Sequence, residues 1–206
     1  MRINSTRSCI IRCIAMLKEG QMFATRNVLC YGSRAAVDQA LSRLVDEGRI
    51  RRLIRGVFMR NDPGVPDPSI EEITAFKMEV FGRRAFTSAK NAAIKLGLIK
   101  EEKEDPNSFA TNARSTSFRY KAMRISIKGM ALRKLKLGDT RVGLFIRAMW
   151  HFGKYGLTNE IYRKGIDLLG SNEVLELRNN IILMPWWMSH FQTRFGVKWL
   201  GGLQQP

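Results

Sequence analysis

The stretch "GSRAAVDQALSRLVDEGRIRR", residues 32–52, decides how the first part of the chain is interpreted. Its apolar residues recur at helical spacing and form one stripe, made of Val37, Leu41, Leu44 and Val45. Ser33 is a residue type that caps helix starts, and Gly48 is typical of a helix end. We therefore predict a helix after Ser33 that leads directly into a run of arginines.

The following segment, "RIRRLIRGVFMR" at residues 49–60, predicts a short β-hairpin. It is rich in β-branched and aromatic residues, and Arg55-Gly56 is the expected turn. Two further helices are expected upstream, at about 5–18 and at 25–31, the second with Thr25 as its cap. Three short helices followed by a basic hairpin have the layout of a winged helix-turn-helix.

A proline-rich segment, "NDPGVPDPS" at residues 61–69, holds three of the six prolines and predicts a boundary. We therefore expect a winged-helix domain at 1–60, a linker at 61–69 and a larger domain at 70–206. In that larger domain Ser69 and Glu72 have capping-box spacing. The elements expected there are helices at 70–81, 88–97, 140–153, 158–169, 171–178 and 185–195, and two or three strands within 108–129. The predicted fold class is α+β, with the winged helix followed by a mixed, mainly helical domain that contains a small antiparallel sheet.

The charge of the chain points to a polyanionic partner. There are 35 Lys and Arg residues against 18 Asp and Glu, a net charge of +17, which attracts phosphate polyanions. Residues 1–60 hold 12 of the basic and 4 of the acidic residues, so the positive charge is densest there. Membrane surfaces and acidic proteins are alternative partners on charge alone.

Location and chemistry are also constrained by the sequence. No stretch has the length and apolar character of a membrane span, and the first residues do not resemble a secretory signal, so no membrane contact is expected. Three cysteines are too few for a disulfide framework, which favours the cytoplasm.

One face of the predicted helix has the residue types of a DNA-recognition helix. Those residues are Ser33, Arg34, Gln39, Ser42 and Arg43. Arginine pairs with guanine and glutamine with adenine, while the Ser33 end can approach a phosphate. Asp38 fits least well, because a carboxylate repels phosphate. It would either accept a hydrogen bond from a cytosine or hold Arg34 or Ser42 in place. The alternative is an ordinary surface helix.

Five arginines in twelve residues make the hairpin the candidate wing. They are Arg49, Arg51, Arg52, Arg55 and Arg60, with no acidic residue inside the run. Wings lie along the phosphate backbone or in the minor groove, where arginine suits both charge and shape. The alternative is a solvated strand face.

Catalytic and metal chemistry find little support. "GSR" at 32–34 resembles the start of nucleotidyltransferase sites, but Asp38 and Asp46 lie in a helix, eight residues apart, and do not converge on a metal. His151 and His190 are expected in core or interface packing, and Cys9 and Cys13 as small buried residues. No phosphate-binding glycine loop occurs. We therefore expect no catalytic residue, metal or cofactor.

Two C-terminal features leave alternatives open. In "ILMPWWMSHFQTRF" a helix from Pro185 would place Trp187, Phe191 and Arg194 or Phe195 on one side. This favours core packing, with a partner-binding surface that includes Trp186 as the alternative. A second basic tract is either solvated or a further polyanion surface, and consists of Lys121, Arg124, Lys128, Arg133, Lys134, Lys136 and Arg141.

The run "GSRAAVDQALSRLVDEGRIRRLIRGVF" resembles the N-terminal winged helix of AbiEi-type antitoxins, from type IV toxin–antitoxin (abortive infection) systems. Weaker similarity extends over roughly residues 5 to 195. It is carried by "FTSAKNAAIKLGL", "FATNARSTSFRYKAMRISIKG", "GDTRVGLFIRAMWHFGKYGLT" and "LMPWWMS".

The resemblance implies a transcriptional repressor that binds inverted repeats in double-stranded DNA at its own promoter. It also implies an antitoxin domain that opposes a nucleotidyltransferase-like toxin without a stable complex. Relatives of this shape also occur on mobile elements with no adjacent toxin, where only the regulatory role applies. A protein-interaction module built on a winged helix is the alternative of a different class.

Overall fold

The structure is a computed structural model that describes residues 5–99, 105–188 and 191. The chain divides into two compact units. Unit 1 holds residues 1–84 and 117–125, and unit 2 holds residues 85–116 and 126–206. The division therefore comes later than the expected linker at 61–69, and a hairpin from further along the chain joins unit 1. Asp67 is one residue that links this hairpin and the linker to the first sixty residues, since its carboxylate binds both Arg51 and the Tyr120 hydroxyl.

The first sixty residues of unit 1 combine two helices with a three-stranded sheet. The elements, in chain order, are α1 (Thr6–Ala15), β1 (Met22–Ala24), a 3₁₀ segment (Thr25–Tyr31), α2 (Arg34–Asp46), β2 (Ile50–Ile54) and β3 (Val57–Arg60). The sheet has the order β1-β3-β2, and both pairs are antiparallel. The hairpin is thus present with its turn at Arg55-Gly56, where Gly56 has a φ of +79°.

The segment at 25–31 differs from the expected α-helix. It is a 3₁₀ turn preceded by Ala24, whose backbone N–H donates to the Asn27 Oδ1 at 2.8 Å. Thr25 is buried inside the segment and does not cap it, so that prediction was wrong. Because the Asn27 side chain accepts from Ala24, the segment is capped at Ala24, one residue earlier than the sequence pattern indicates.

An apolar core packs α1, the 3₁₀ segment, α2 and the sheet together. It includes Ile10 from α1, Val28 from the 3₁₀ segment, Leu41 and Leu44 from α2, and Phe58 from β3, all nearly inaccessible to solvent. Phe58 also stacks on Phe23 with ring centroids 5.6 Å apart. Burial of aliphatic and aromatic surface on this scale is the main stabilising term of a small unit.

Unit 1 continues through α3 (Ile70–Val80), which begins with the predicted capping box. Ser69 Oγ accepts from the Glu72 N–H at 3.1 Å, and the Glu72 carboxylate accepts from the Ser69 N–H at 2.7 Å. The hydrogen bond from the Ser69 backbone N–H to the carboxylate, followed by that from the Ser69 side chain, lowers the pKa of Glu72. The capping prediction at this helix is confirmed.

The remaining elements confirm a mixed α and β architecture. They are β4 (Phe86–Thr87), α4 (Ala89–Lys95), β5 (Ser108–Thr111), β6 (Thr116–Tyr120), β7 (Met123–Gly129), α5 (Leu132–Leu135), α6 (Arg141–Gly156), α7 (Asn159–Asp167), α8 (Ser171–Asn179) and a 3₁₀ turn (Ile181–Leu183). The second sheet has the order β4-β5-β7-β6. β4, a strand that the sequence did not predict, pairs with β5 in antiparallel, but β5 and β7 pair in parallel, so the sheet is mixed and not purely antiparallel as expected.

Helix α6 forms the centre of unit 2. Its buried face includes Val142, Phe145, Ile146 and Met149, and α4 packs closely against it. Arg147 on the same helix is completely buried and binds the Asp139 carboxylate and the Gly138 carbonyl. In the described part of the chain, none of the helices has the length and apolar surface to cross a bilayer.

Candidate nucleic-acid interface

Helix α2 has a buried face and an exposed face, and the exposed one holds the predicted site residues. Ser33 caps the helix, its Oγ accepting from the Ala36 N–H at 3.3 Å. The buried face consists of Val37, Ala40, Leu41 and Leu44. Ser33, Arg34, Gln39, Ser42 and Arg43 are all exposed. The structure therefore places all five predicted recognition-helix residues on solvent-accessible positions of one helix and its cap.

Asp38 holds Arg34, one of the two structural roles considered for it. The Arg34 Nε and the Asp38 Oδ2 are 2.8 Å apart, one helical turn from each other. Both side chains are more than half exposed, so the pair is screened by water and weak, about 0.3–0.5 kcal/mol for this spacing. A ligand can open it at little cost.

Gln39, Ser42 and Arg43 differ from Arg34 in having no partner. Within the described ranges 5–99 and 105–188, none of these three side chains makes a hydrogen bond or an ion pair. They provide amide, hydroxyl and guanidinium groups along about one turn of helix. Such groups can hydrogen-bond to base edges in a major groove.

The five hairpin arginines fall into two sets, which the sequence does not distinguish. Arg51 donates to Asp67 Oδ1 and to the Val65 carbonyl, both at 2.8 Å. Arg60 donates to the Leu17 carbonyl at 2.7 Å and pairs with Asp62 at 2.8 Å. These two side chains are only about 30% exposed.

Arg49 also has an acidic neighbour, because its Nε lies 3.6 Å from the Glu47 Oε2. Its side chain is more exposed than those of Arg51 and Arg60. The sequence shows no acid inside the run, but Glu47 precedes it and Asp62 and Asp67 follow it. The expectation of an uncompensated run was therefore wrong for three of the five arginines.

The second set lies toward the turn of the hairpin. Arg52 is exposed and its guanidinium sits over the Phe58 ring, 5.5 Å from the centroid. Arg55 is exposed at the turn itself. Neither has an acidic partner among the described residues. These two arginines are the members of the predicted wing set whose charge is available to an anion.

Asp67 binds Arg51 and two residues from further along the chain. Besides Arg51, it accepts from the Tyr120 hydroxyl at 3.2 Å and pairs with the Lys121 Nζ at 3.1 Å. The hydrogen bond from Lys121, followed by that from Tyr120 and by the nearby positive charges, lowers the pKa of Asp67. Asp67 was not among the site residues predicted from the sequence. The sequence signal that could have indicated it is that Asp62 and Asp67 are the charged residues of the proline-rich segment 61–69.

Other predicted residues have mixed outcomes. His151 is exposed with its ring 5.5 Å from Phe152, so core packing was wrong for it. His190, Arg194 and Phe195 lie outside the described residues. Cys9 and Cys13 are only partly buried, while Cys30 is exposed.

The C-terminal aromatics follow the core prediction where they are described. Trp187 meets Trp150 edge to face with centroids 6.1 Å apart, and Phe191 lies 5.4 Å from the Tyr162 ring. Trp186 is 73% exposed.

The second basic tract does not form one uniform surface. Arg133 and Lys134 lie over the Trp150 ring, at 4.9 and 3.7 Å from its centroid. Lys121 binds Asp67, and Arg141 lies 3.9 Å from Glu173. Part of this charge is therefore used in contacts within the chain.

No family model matches the chain, and no curated protein is significantly similar to it in sequence.

Proposed function

We propose that this protein is a DNA-binding transcriptional regulator and that the first sixty residues are a winged helix-turn-helix. One observation carries the proposal: the order α1-β1-3₁₀-α2-β2-β3, with β1 and β2 flanking β3, sets a polar-faced helix beside a basic hairpin. In this arrangement α2 is the recognition helix and the β2–β3 hairpin is the wing.

The groups on α2 suit direct readout of bases. Gln39 presents an amide that pairs with adenine, and Arg43 a guanidinium that pairs with guanine. Neither makes a hydrogen bond or an ion pair with another described residue that would have to break before binding. Arg34 binds only after leaving Asp38, at the small cost of an exposed ion pair. Gln39 and Arg43 are thus the main candidates for specificity.

The wing supplies sequence-independent affinity. Arg52 and Arg55 are exposed and have no acidic partner among the described residues, so each can neutralise a backbone phosphate. Arg51 and Arg60 hold the hairpin to its surroundings, and the charge of Arg49 lies 3.6 Å from Glu47. The proposed wing therefore contacts phosphate through fewer arginines than the five that the run contains.

The regulatory target follows from the resemblance to AbiEi-type antitoxins. We propose that the protein represses its own promoter by binding inverted repeats, and that unit 2 opposes a nucleotidyltransferase-like toxin without a stable complex. Unit 2 has its own core around α6, which makes it a separate structural body for such a role. Co-expression of the full chain with the product of the neighbouring reading frame tests the antitoxin part. Rescue of growth is expected, and unrelieved toxicity would contradict it.

Binding to the DNA upstream of its own reading frame tests the regulator. The full chain should retard that fragment at concentrations that leave a scrambled duplex free. Gln39→Ala and Arg43→Ala should each reduce the preference for the upstream fragment by roughly 5- to 100-fold, the equivalent of about 1–3 kcal/mol per base contact. Lys18→Ala, which removes an exposed charge far from α2 in sequence, is the control. Equal affinity of the wild type for both duplexes would exclude sequence-specific binding.

A protein-interaction module is the second candidate, and exposed apolar residues of unit 2 favour it. Tyr155 is 94% and Trp186 73% exposed, and the Lys154 Nζ lies within 5.5 Å of both ring centroids. Exposed aromatic groups of this kind are enriched at protein interfaces. Failure to bind any DNA, together with a defined complex that Trp186→Ala abolishes, would favour this function.

A further inference from the structure

Three cations converge beside the turn of the hairpin, and only one of them belongs to the arginine run. A backbone hydrogen bond from the Thr25 N–H to the Gly56 carbonyl, 3.0 Å long, ties the turn to the end of β1. Arg26 follows Thr25 in the chain and Arg55 precedes Gly56. The bond therefore brings together the two chain segments that carry these exposed arginines.

Helix α3 brings the third cation. The Arg26 Nη1 donates to the Val80 carbonyl at 2.9 Å, at the end of α3. Lys77 is three residues before Val80 and so lies on the same face of that helix. Its Nζ sits 5.2 Å from the centroid of the Phe118 ring, which fixes the amine over an apolar surface. Burial, and then the nearby charge of Arg55, lower the pKa of Lys77.

No carboxylate of the described residues pairs with this cluster. In the described part of the chain, neither Arg26, Arg55 nor Lys77 forms an ion pair. The helical neighbours of Lys77, three and four residues away, are Ile73, Thr74, Val80 and Phe81. Glu79 is two residues on, which places it on the opposite side of α3. The cations therefore repel one another in the free protein, and an anion between them relieves that repulsion.

We propose that Arg26, Arg55 and Lys77 form a second DNA-backbone contact, in which α3 and the wing turn bind phosphate together. This rests on the proposed function, since the phosphates are those of the DNA that α2 reads. This contact extends the proposed interface to Arg26 and Lys77, which lie outside the recognition helix and the arginine run. Backbone contacts of this kind fix the register of a protein on DNA without reading sequence.

Salt-dependent binding of the full chain to labelled duplexes tests the proposal. Lys77→Gln should weaken binding to the upstream fragment and to a scrambled duplex by the same factor, roughly 3- to 10-fold. It should also reduce the slope of log affinity against log salt by about one. Lys77→Arg, which keeps the charge, should restore both quantities.

Lys18→Gln is the matched control, because it removes the same charge on unit 1 at the other end of the hairpin, where Arg60 binds the Leu17 carbonyl. A slope for Lys77→Gln equal to that of Lys18→Gln would overturn the proposal, as would a preference for single-stranded RNA that Lys77→Gln abolishes. Unchanged circular dichroism and thermal melting of Lys77→Gln separate lost binding from lost folding. If the wild type binds no duplex at all, the regulator function itself fails.

Discussion

The open end and the closed end of the β2–β3 hairpin both carry arginines, yet the two sets are bonded differently. At the open end, Arg60 reaches the Leu17 carbonyl and pairs with Asp62. Toward the closed end, Arg55 is exposed at the turn without an acidic partner among the described residues.

A basic run can therefore contribute to two different free energies, that of folding and that of DNA binding. An arginine bound to a carboxylate and a carbonyl lowers the free energy of the folded state, and its charge is already compensated. An arginine without an acidic partner contributes nothing comparable to folding, but its charge is available to a polyanion. Variants at the two ends should therefore affect different measurements.

The largest expected effect is on DNA binding at the closed end. Removing both charges by Arg52→Gln and Arg55→Gln together should weaken binding to any duplex by roughly 10- to 100-fold and reduce the salt slope by about two. Thermal melting should change little. Fluorescence anisotropy over a series of salt concentrations measures both binding quantities.

Arg49→Gln with Lys18→Gln is the matched double variant, since it removes two exposed charges that the proposed phosphate contacts do not use. Equal losses for the two double variants would show that net charge, and not position, governs binding.

The next effect is on stability, at the contacts of Asp67. Asp67→Asn removes the charge that holds Arg51 and Lys121 and should lower the free energy of unfolding by about 1–2 kcal/mol, after allowance for the partial exposure of the carboxylate. Denaturant titration followed by circular dichroism measures it. Asp46→Asn, at an exposed aspartate without an ion pair among the described residues, should leave stability unchanged.

The pH dependence of the difference in unfolding free energy between wild type and Asp67→Asn gives an independent check on the role of Asp67. Because the folded-state pKa of Asp67 is lowered, its stabilising contribution is complete above the unfolded value of about 3.9. It is lost as the pH falls through the folded pKa. The gap between wild type and Asp67→Asn should thus be constant from neutral to mildly acidic pH and close only in strong acid. A gap that closes near neutral pH would point to another group.

A smaller effect is expected from the backbone of the turn. Gly56 has a φ of +79°, which disfavours a side chain, although the nearest atom to an added Cβ is Thr25 Oγ1 at 3.8 Å. Gly56→Ala should therefore cost about 1 kcal/mol through backbone strain alone. Gly156→Ala, at a position without positive φ and with similar space, should be neutral in the same thermal melts. Equal melting temperatures for the two variants would exclude strain at the turn.

The elements that could be predicted are those with local signals. The cap at Ser33, the capping box of Ser69 and Glu72, and the turn at Arg55-Gly56 all depend on residues at most three apart. The exposed face of α2 follows from helical periodicity once the buried stripe is known. Hence the recognition-helix candidates were placed correctly on an accessible surface.

The features that were missed depend on contacts distant in the sequence. Asp67 meets Tyr120 across 53 positions, and Arg26 meets Val80 across 54. Nothing in a local pattern pairs such residues, so the division of the arginines and the position of Lys77 were not predictable. The parallel β5–β7 pair has the same cause, because strand order depends on tertiary packing and not on the strands' own composition.

The smallest expected effect is at Asp38, and it separates two roles for Arg34. Asp38→Ala frees the Arg34 guanidinium and removes a carboxylate from the face of α2. Stability should change by less than about 0.5 kcal/mol, since the pair is exposed. Affinity for all duplexes should rise roughly two- to fivefold, because Arg34 no longer leaves a partner and one repulsive charge is gone. If Asp38 instead accepts a hydrogen bond from a cytosine, Asp38→Ala lowers affinity for the upstream fragment alone. Competition between the upstream fragment and a scrambled duplex distinguishes the two results, and Asp46→Ala, on the same helix, corrects for the loss of one negative charge.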